Sequence, residues 1–142
     1  MRRMALLSGV LLASAALAAE DTRQLVAMPA EARAEMRAEM LDFQLALHQI
    51  VEAMGAGRPA EAADLAERTI GLSAMGRHRN APANARPGMH MPSEMHLIAR
   101  NMHAAASEFA KIARGGDAAK SLTALTAVTG ACVACHRSYR TQ

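Results

Sequence analysis

The sequence predicts an all-α protein folded as an antiparallel four-helix bundle. Two observations carry this. Beyond the first eighteen residues the chain is rich in Ala, Leu, Met and Glu and poor in β-branched runs, with two Phe, one Tyr and no Trp. Its apolar residues also recur at three- and four-residue spacing in four segments, each bounded by Pro, Gly or Asp. Four helices of roughly twenty residues make a bundle about 30 Å long.

The first eighteen residues stand apart. "MRRMALLSGVLLASAALA" places Arg2 and Arg3 before a short apolar run and ends in Ala16-Leu17-Ala18. That is the pattern of a cleaved secretory signal, and the run is short for a bilayer span. Residues 1–18 are therefore expected to leave, with residues 19–142 forming one periplasmic domain without a stable membrane anchor. Losing Arg2 and Arg3 lowers the basic count by two, from 16 to 14, against 13 acidic residues. The basic pI of the whole chain is then no sign of nucleic-acid binding, and the aromatic platforms for base stacking are missing as well.

The first helix is expected from about Pro29 to Met54, with Gly55 and Gly57 as its stop. Met36, Met40, Phe43, Leu47, Ile50 and Met54 share one face of it. The second runs from Pro59 to about His78. The stretch "RNAPANARPGMHM" has prolines and no periodicity, so it is a loop. The third helix runs from Pro92-Ser93 to before Gly115, with Met95, Ile98, Met102 and Phe109 inward. Asp117 suits the N-cap of the fourth, which runs to about Arg140 with Leu122, Leu125 and Val128 inward. The short first and third connections make antiparallel neighbours of the helices they join. With so few aromatics, either alanine packing or a planar cofactor must fill the core.

The chemistry sits at the far end, in "GACVACHRSYR", residues 130 to 140. C-x-x-C-H is the attachment signature of c-type haem. On a helix, Cys132, Cys135 and His136 project from one face. Each thiol can close a thioether on one porphyrin vinyl group while the imidazole reaches iron. That also consumes two thiols which an oxidising compartment would otherwise pair. The competing uses are weaker. Zinc needs a second ligand pair, and the chain has only two cysteines. A redox pair wants a helix N-terminus, and an i, i+3 disulfide strains a regular helix.

A secreted helical bundle of this size with C-x-x-C-H at its C-terminus resembles the cytochrome c-prime family, the class II cytochromes c. The ending "CHRSYR" is similar to the family pattern C-H-x-x-[FY]-R, matched by His136, Tyr139 and Arg140. The resemblance implies one covalent haem c, a proximal His136, and Arg140 near the proximal face.

It also implies that the first helix supplies the distal residue, one turn after an arginine. Aligning Gly57 with the family's helix-ending glycine puts Arg37 at the arginine and Leu41 at the distal position, leaving iron open. A slip of one residue, which the apolar periodicity favours, puts Met40 there, and Met36 is a third candidate. A methionine ligand gives low-spin iron suited to electron transfer, while an open face gives high-spin iron that takes NO or CO. The stretch Met89 to His96 mixes thioethers and imidazoles and is a candidate copper site. His48 and His103 could also approach the haem from neighbouring helices.

The expected function is electron carriage between periplasmic redox proteins met transiently, with gas binding and copper handling as alternatives. No residue set suggests substrate turnover, so no enzyme is expected. The chain is read as a monomer or homodimer.

Overall fold

The computed structural model describes residues 20–141. The leader expected over residues 1–18 lies outside the described residues. The chain forms an all-α bundle of four helices, joined by short 3-10 turns and tied at one end by a two-residue β-ladder.

Strand β1, Gln24–Leu25, comes first. Helix α1 spans Ala30–Gly55, with Pro29 at its N-cap. Its end closes on Gly57, whose φ of +70° lets the Arg58 amide bond back to the Ala53 carbonyl at 2.8 Å. Helix α2, Pro59–Thr69, starts on its proline, which suits a position where the amide has no partner.

The sequence expectation for α2 needs correcting. The helix stops at Thr69 rather than near His78. The Gly71 amide bonds back to the Ala66 carbonyl at 2.8 Å, and the Glu67 carboxylate accepts the Ser73 amide at 3.1 Å and the Ser73 hydroxyl. The side chain of Glu67 thus competes for amides that a continuing helix would use. Gly71 also passes so close to Glu67 that a Cβ there would lie 2.8 Å from the Glu67 Cα.

The crossover that follows holds three short 3-10 helices, Leu72–Ala74, Ala83–Ala85 and Pro87–His90. It is pinned to α1 by polar contacts. His78 sits between Glu35 at 3.4 Å and Glu39 at 3.5 Å, and Arg77 donates to Asp42 at 2.8 Å.

Helix α3 spans Ser93–Arg114 and α4 spans Ala118–Ser138. Asp117 caps α4 as expected, accepting the Lys120 amide at 3.0 Å. The expected continuation of α4 to Arg140 is also corrected. Tyr139 turns to φ −128° and ψ 150°, and Tyr139–Arg140 form strand β2, paired in parallel with β1. The Val26 amide donates to the Arg140 carbonyl at 2.8 Å, and Val26 is buried beneath the ladder.

Helix α1 packs on α2, α2 on α3 and α3 on α4. Phe43, Ile50, Met54, Met102, Phe109, Leu125 and Val128 fill the main core. Alanines do as much. Ala46 and Ala53 of α1, Ala62 and Ala66 of α2, and Ala106 and Ala110 of α3 are all buried in it. Small side chains let helix axes approach closely, which is how a chain so poor in aromatics closes its core.

Leu122 departs from its expected place and is half exposed. The inward position belongs to Ser121, whose hydroxyl donates to the Asp117 carbonyl at 2.6 Å and so needs no water. Ser121, Leu125, Val128 and Cys132 then step by four, three and four along one stripe toward the motif.

A second, smaller cluster lies at the β-ladder end. Val26, Met36 and Met95 are its buried centre, with Met40, Cys135 and Tyr139 among the half-buried side chains packed against it.

Candidate cofactor site

Between α1, α3 and the last turns of α4 lies a mainly apolar cavity of about 610 Å³. It lies in the range typical of cofactor pockets. Every site residue expected from the sequence lines it: Cys132, Cys135, His136 and Arg140 on one side, and Met36, Arg37, Met40 and Leu41 on the other. They occupy different depths. Met36 is buried and Met40 half-buried, whereas Leu41 is 60% exposed at the rim.

Both cysteines are free thiols, half-buried on the inward stripe of α4. Burial pushes both thiols up from their ordinary pKa, with Cys132 adding to the effect on Cys135. Burial thus disfavours the thiolate, the opposite of the activation that a thiol–disulfide exchange site provides.

The charged lining is one-sided. Arg23, Arg37 and Arg140 face the cavity, and among the described residues no Asp or Glu does. The Arg140 Nε is buried without a hydrogen-bond partner, its nearest carboxylate oxygen, on Asp21, being 3.6 Å away. A guanidinium with an unanswered N–H beside an apolar hollow suits a ligand that is flat and apolar but carries carboxylates. Haem, an apolar macrocycle with two propionates, meets that description.

Two contributors to the site, Arg23 and Val26, were missed from sequence, and Tyr139 was read only as part of the family ending. Arg23 reaches the cavity from the segment before β1, Tyr139 lines it from β2, and Val26 packs beneath it. Asp21 holds Arg23 through two hydrogen bonds, Nε to Oδ1 at 2.9 Å and Nη2 to Oδ2 at 2.7 Å. That pairing, above all, draws the Asp21 carboxyl down to about 2. The only hint in the sequence was an Asp-x-Arg triplet, which has no period.

The Met89–His96 stretch is split by the fold. Met91 and Met95 line the cavity, Met89 is exposed, and the His96 Nε2 is engaged with the Gly88 carbonyl. Among the described residues no group of three His, Cys, Asp or Glu side chains is placed to hold a metal ion. His103 bonds to the Ile70 carbonyl and stands edge-on to Phe43, with ring centroids 6.1 Å apart, so its place is structural. His48 is exposed.

A helical bundle that gathers two thiols, an imidazole and three guanidiniums around one apolar hollow is built as a cofactor-binding helical protein. The comparison with known families places it more closely. The family model of cytochrome c' matches residues 60–140, and the chain belongs to that family, the class II c-type cytochromes. Membership implies a haem c cofactor. No curated protein and no solved structure matches the chain significantly.

Proposed function

We propose that this protein is an exported monohaem c-type cytochrome that carries electrons between periplasmic redox partners. In this reading the bundle is antiparallel and Cys132 and Cys135 hold haem c through thioether bonds. His136 of α4 and Met40 of α1 are the side chains that would hold its iron. The observation that carries the assignment of Met40 is its place between the two cores. Among the described residues, Met40 alone packs against both apolar clusters, the one that meets Cys132 and the one that meets Cys135. Met36 lies deeper toward Val26 and Tyr139, and Leu41 packs against neither cluster.

Haem c supplies a one-electron iron couple. The chain does the rest. Cys132 and Cys135 fix the ring's position. The methionines and Phe43 of the cavity keep water from it and limit reorganisation on electron transfer. Arg140 and Arg37 offer N–H donors to its carboxylates. Met40 would hold the iron from the α1 side of the cavity, so that a gas would have to displace it. Docking to partners is transient and partly electrostatic.

The test is the holoprotein made in a strain with c-type maturation. Mass spectrometry should find one haem linked at both cysteines. Met40→Leu should convert a low-spin spectrum to a high-spin one and admit CO to the ferrous form. Met36→Leu should not. If the native protein is already high-spin and binds CO rapidly, gas binding replaces electron carriage.

A further inference from the structure

The last helix ends two residues past His136, and its end is completed by a side chain from the segment before β1. A helix leaves its last four carbonyls without intrahelical partners. In α4 these belong to Cys135 to Ser138. The Cys135 carbonyl accepts the Tyr139 amide, but the chain then turns into β2 and offers no backbone donor to His136. The Arg23 Nη1 donates to the His136 carbonyl at 3.3 Å, across 113 positions of sequence. A cation at that point also meets the negative end of the helix dipole.

Arg23 is paired at the surface with Asp21, the two side chains being 43% and 42% exposed. Asp21 grips it through the two hydrogen bonds described above. Strand β1 holds its backbone in register, Gln24 opposite Tyr139 and Leu25 opposite Arg140. Val26 anchors the strand in the same cluster that Cys135 and Tyr139 pack against. Asp21 also faces Arg140, so one carboxylate spaces two guanidiniums at the cavity edge.

Resting on the haem reading above, we propose that Arg23 is a positioning residue for the proximal ligand. Braced by Asp21, it fixes the carbonyl and hence the backbone of His136, and it keeps a positive charge beside the haem. Two consequences follow. The orientation of the imidazole, and with it the ligand field at iron, depends on a side chain from the N-terminal segment. The nearby cation favours the reduced haem, which carries one less positive charge.

The experiment uses the holoprotein and three variants, Arg23→Gln, Arg23→Lys and Asp21→Asn, with the double variant Asp21→Asn/Arg23→Gln. The readouts are the midpoint potential by spectroelectrochemistry and the g-values of the ferric protein by electron paramagnetic resonance. Arg23→Gln should lower the potential and shift the g-values while haem stays attached. Arg23→Lys should retain the charge and recover most of the potential, but not the g-values. In the Asp21→Asn background the same Arg23→Gln change should have a smaller effect, because Arg23 is already unbraced. A potential and g-values unchanged in Arg23→Gln overturn the proposal, as does full additivity of the two substitutions. Should Arg23→Gln not accumulate, Arg23→Lys and Asp21→Asn decide alone: native g-values in both overturn it. A protein isolated without covalent haem would instead defeat the functional reading itself, so the two failures are distinguishable.

Discussion

Met40 of α1 and Cys135 of α4 pack against the same buried cluster of Val26, Met36 and Met95. The first and last helices therefore converge on a common cluster beside the thiols and line one cavity from two sides. The functional account rests on that convergence.

The two cysteines should be separable by chemistry. Cys132→Ala and Cys135→Ala should each leave one thioether and one free vinyl, read as a red shift of the pyridine haemochrome α-band. The double variant should lose its haem to acidified organic solvent. Haem that stays covalent in the double variant would remove the motif from its role.

Phe109 is completely buried in the alanine-rich core. Phe109→Ala should cost about 3–5 kcal/mol, since close helix packing leaves little freedom for the cavity to collapse. Urea unfolding of the holoprotein measures it, with a lower midpoint at unchanged slope. A loss below about 1 kcal/mol would mean that the haem, not this core, holds the bundle together.

Glu67 makes a pH prediction. Hydrogen bonds from Ser107 and then Ser73 hold its carboxyl below the ordinary range. The folded value lies below the unfolded one, so the staple contributes fully above about pH 4.3 and is lost as pH falls through the lower folded value. Glu67→Gln should destabilise the protein at pH 7 and flatten the fall in stability below pH 4.3. Parallel stability–pH curves for the two proteins would show that the carboxylate has no such part.

Capping of α4 is a smaller effect. Asp117→Ala should cost about 1 kcal/mol through loss of the bond to the Lys120 amide. Asp117→Asn should restore most of it in thermal unfolding, because an amide oxygen accepts the same bond. Equal losses in the two variants would point to charge rather than capping.

Much of this architecture was legible beforehand, and its gaps have physical causes. Pro59 and Asp117 mark helix starts through their own chemistry, and the apolar stripes of α1 and α3 are regular. Seven of the eight expected site residues share a cavity because a 3.6-residue period places them on facing stripes of α1 and α4, and Arg140 joins them from β2. The end of α2 was misread because the stop comes from the Glu67 side chain folding back on Ser73, not from a proline. Leu122 was misread because Ser121 satisfies its hydroxyl locally and so can take the inward place. Strand β1 and Arg23 were invisible because a two-residue ladder has no period, and its partner lies at the opposite end of the chain.

The measurement that bears most directly on the central claim is the optical spectrum of the purified ferric and ferrous protein. Methionine–iron ligation predicts a weak ferric band near the red end and a sharp low-spin ferrous α-band, both lost in Met40→Leu. A broad high-spin Soret with no red band in the native protein would contradict it, and would mean that the iron face opposite His136 is open.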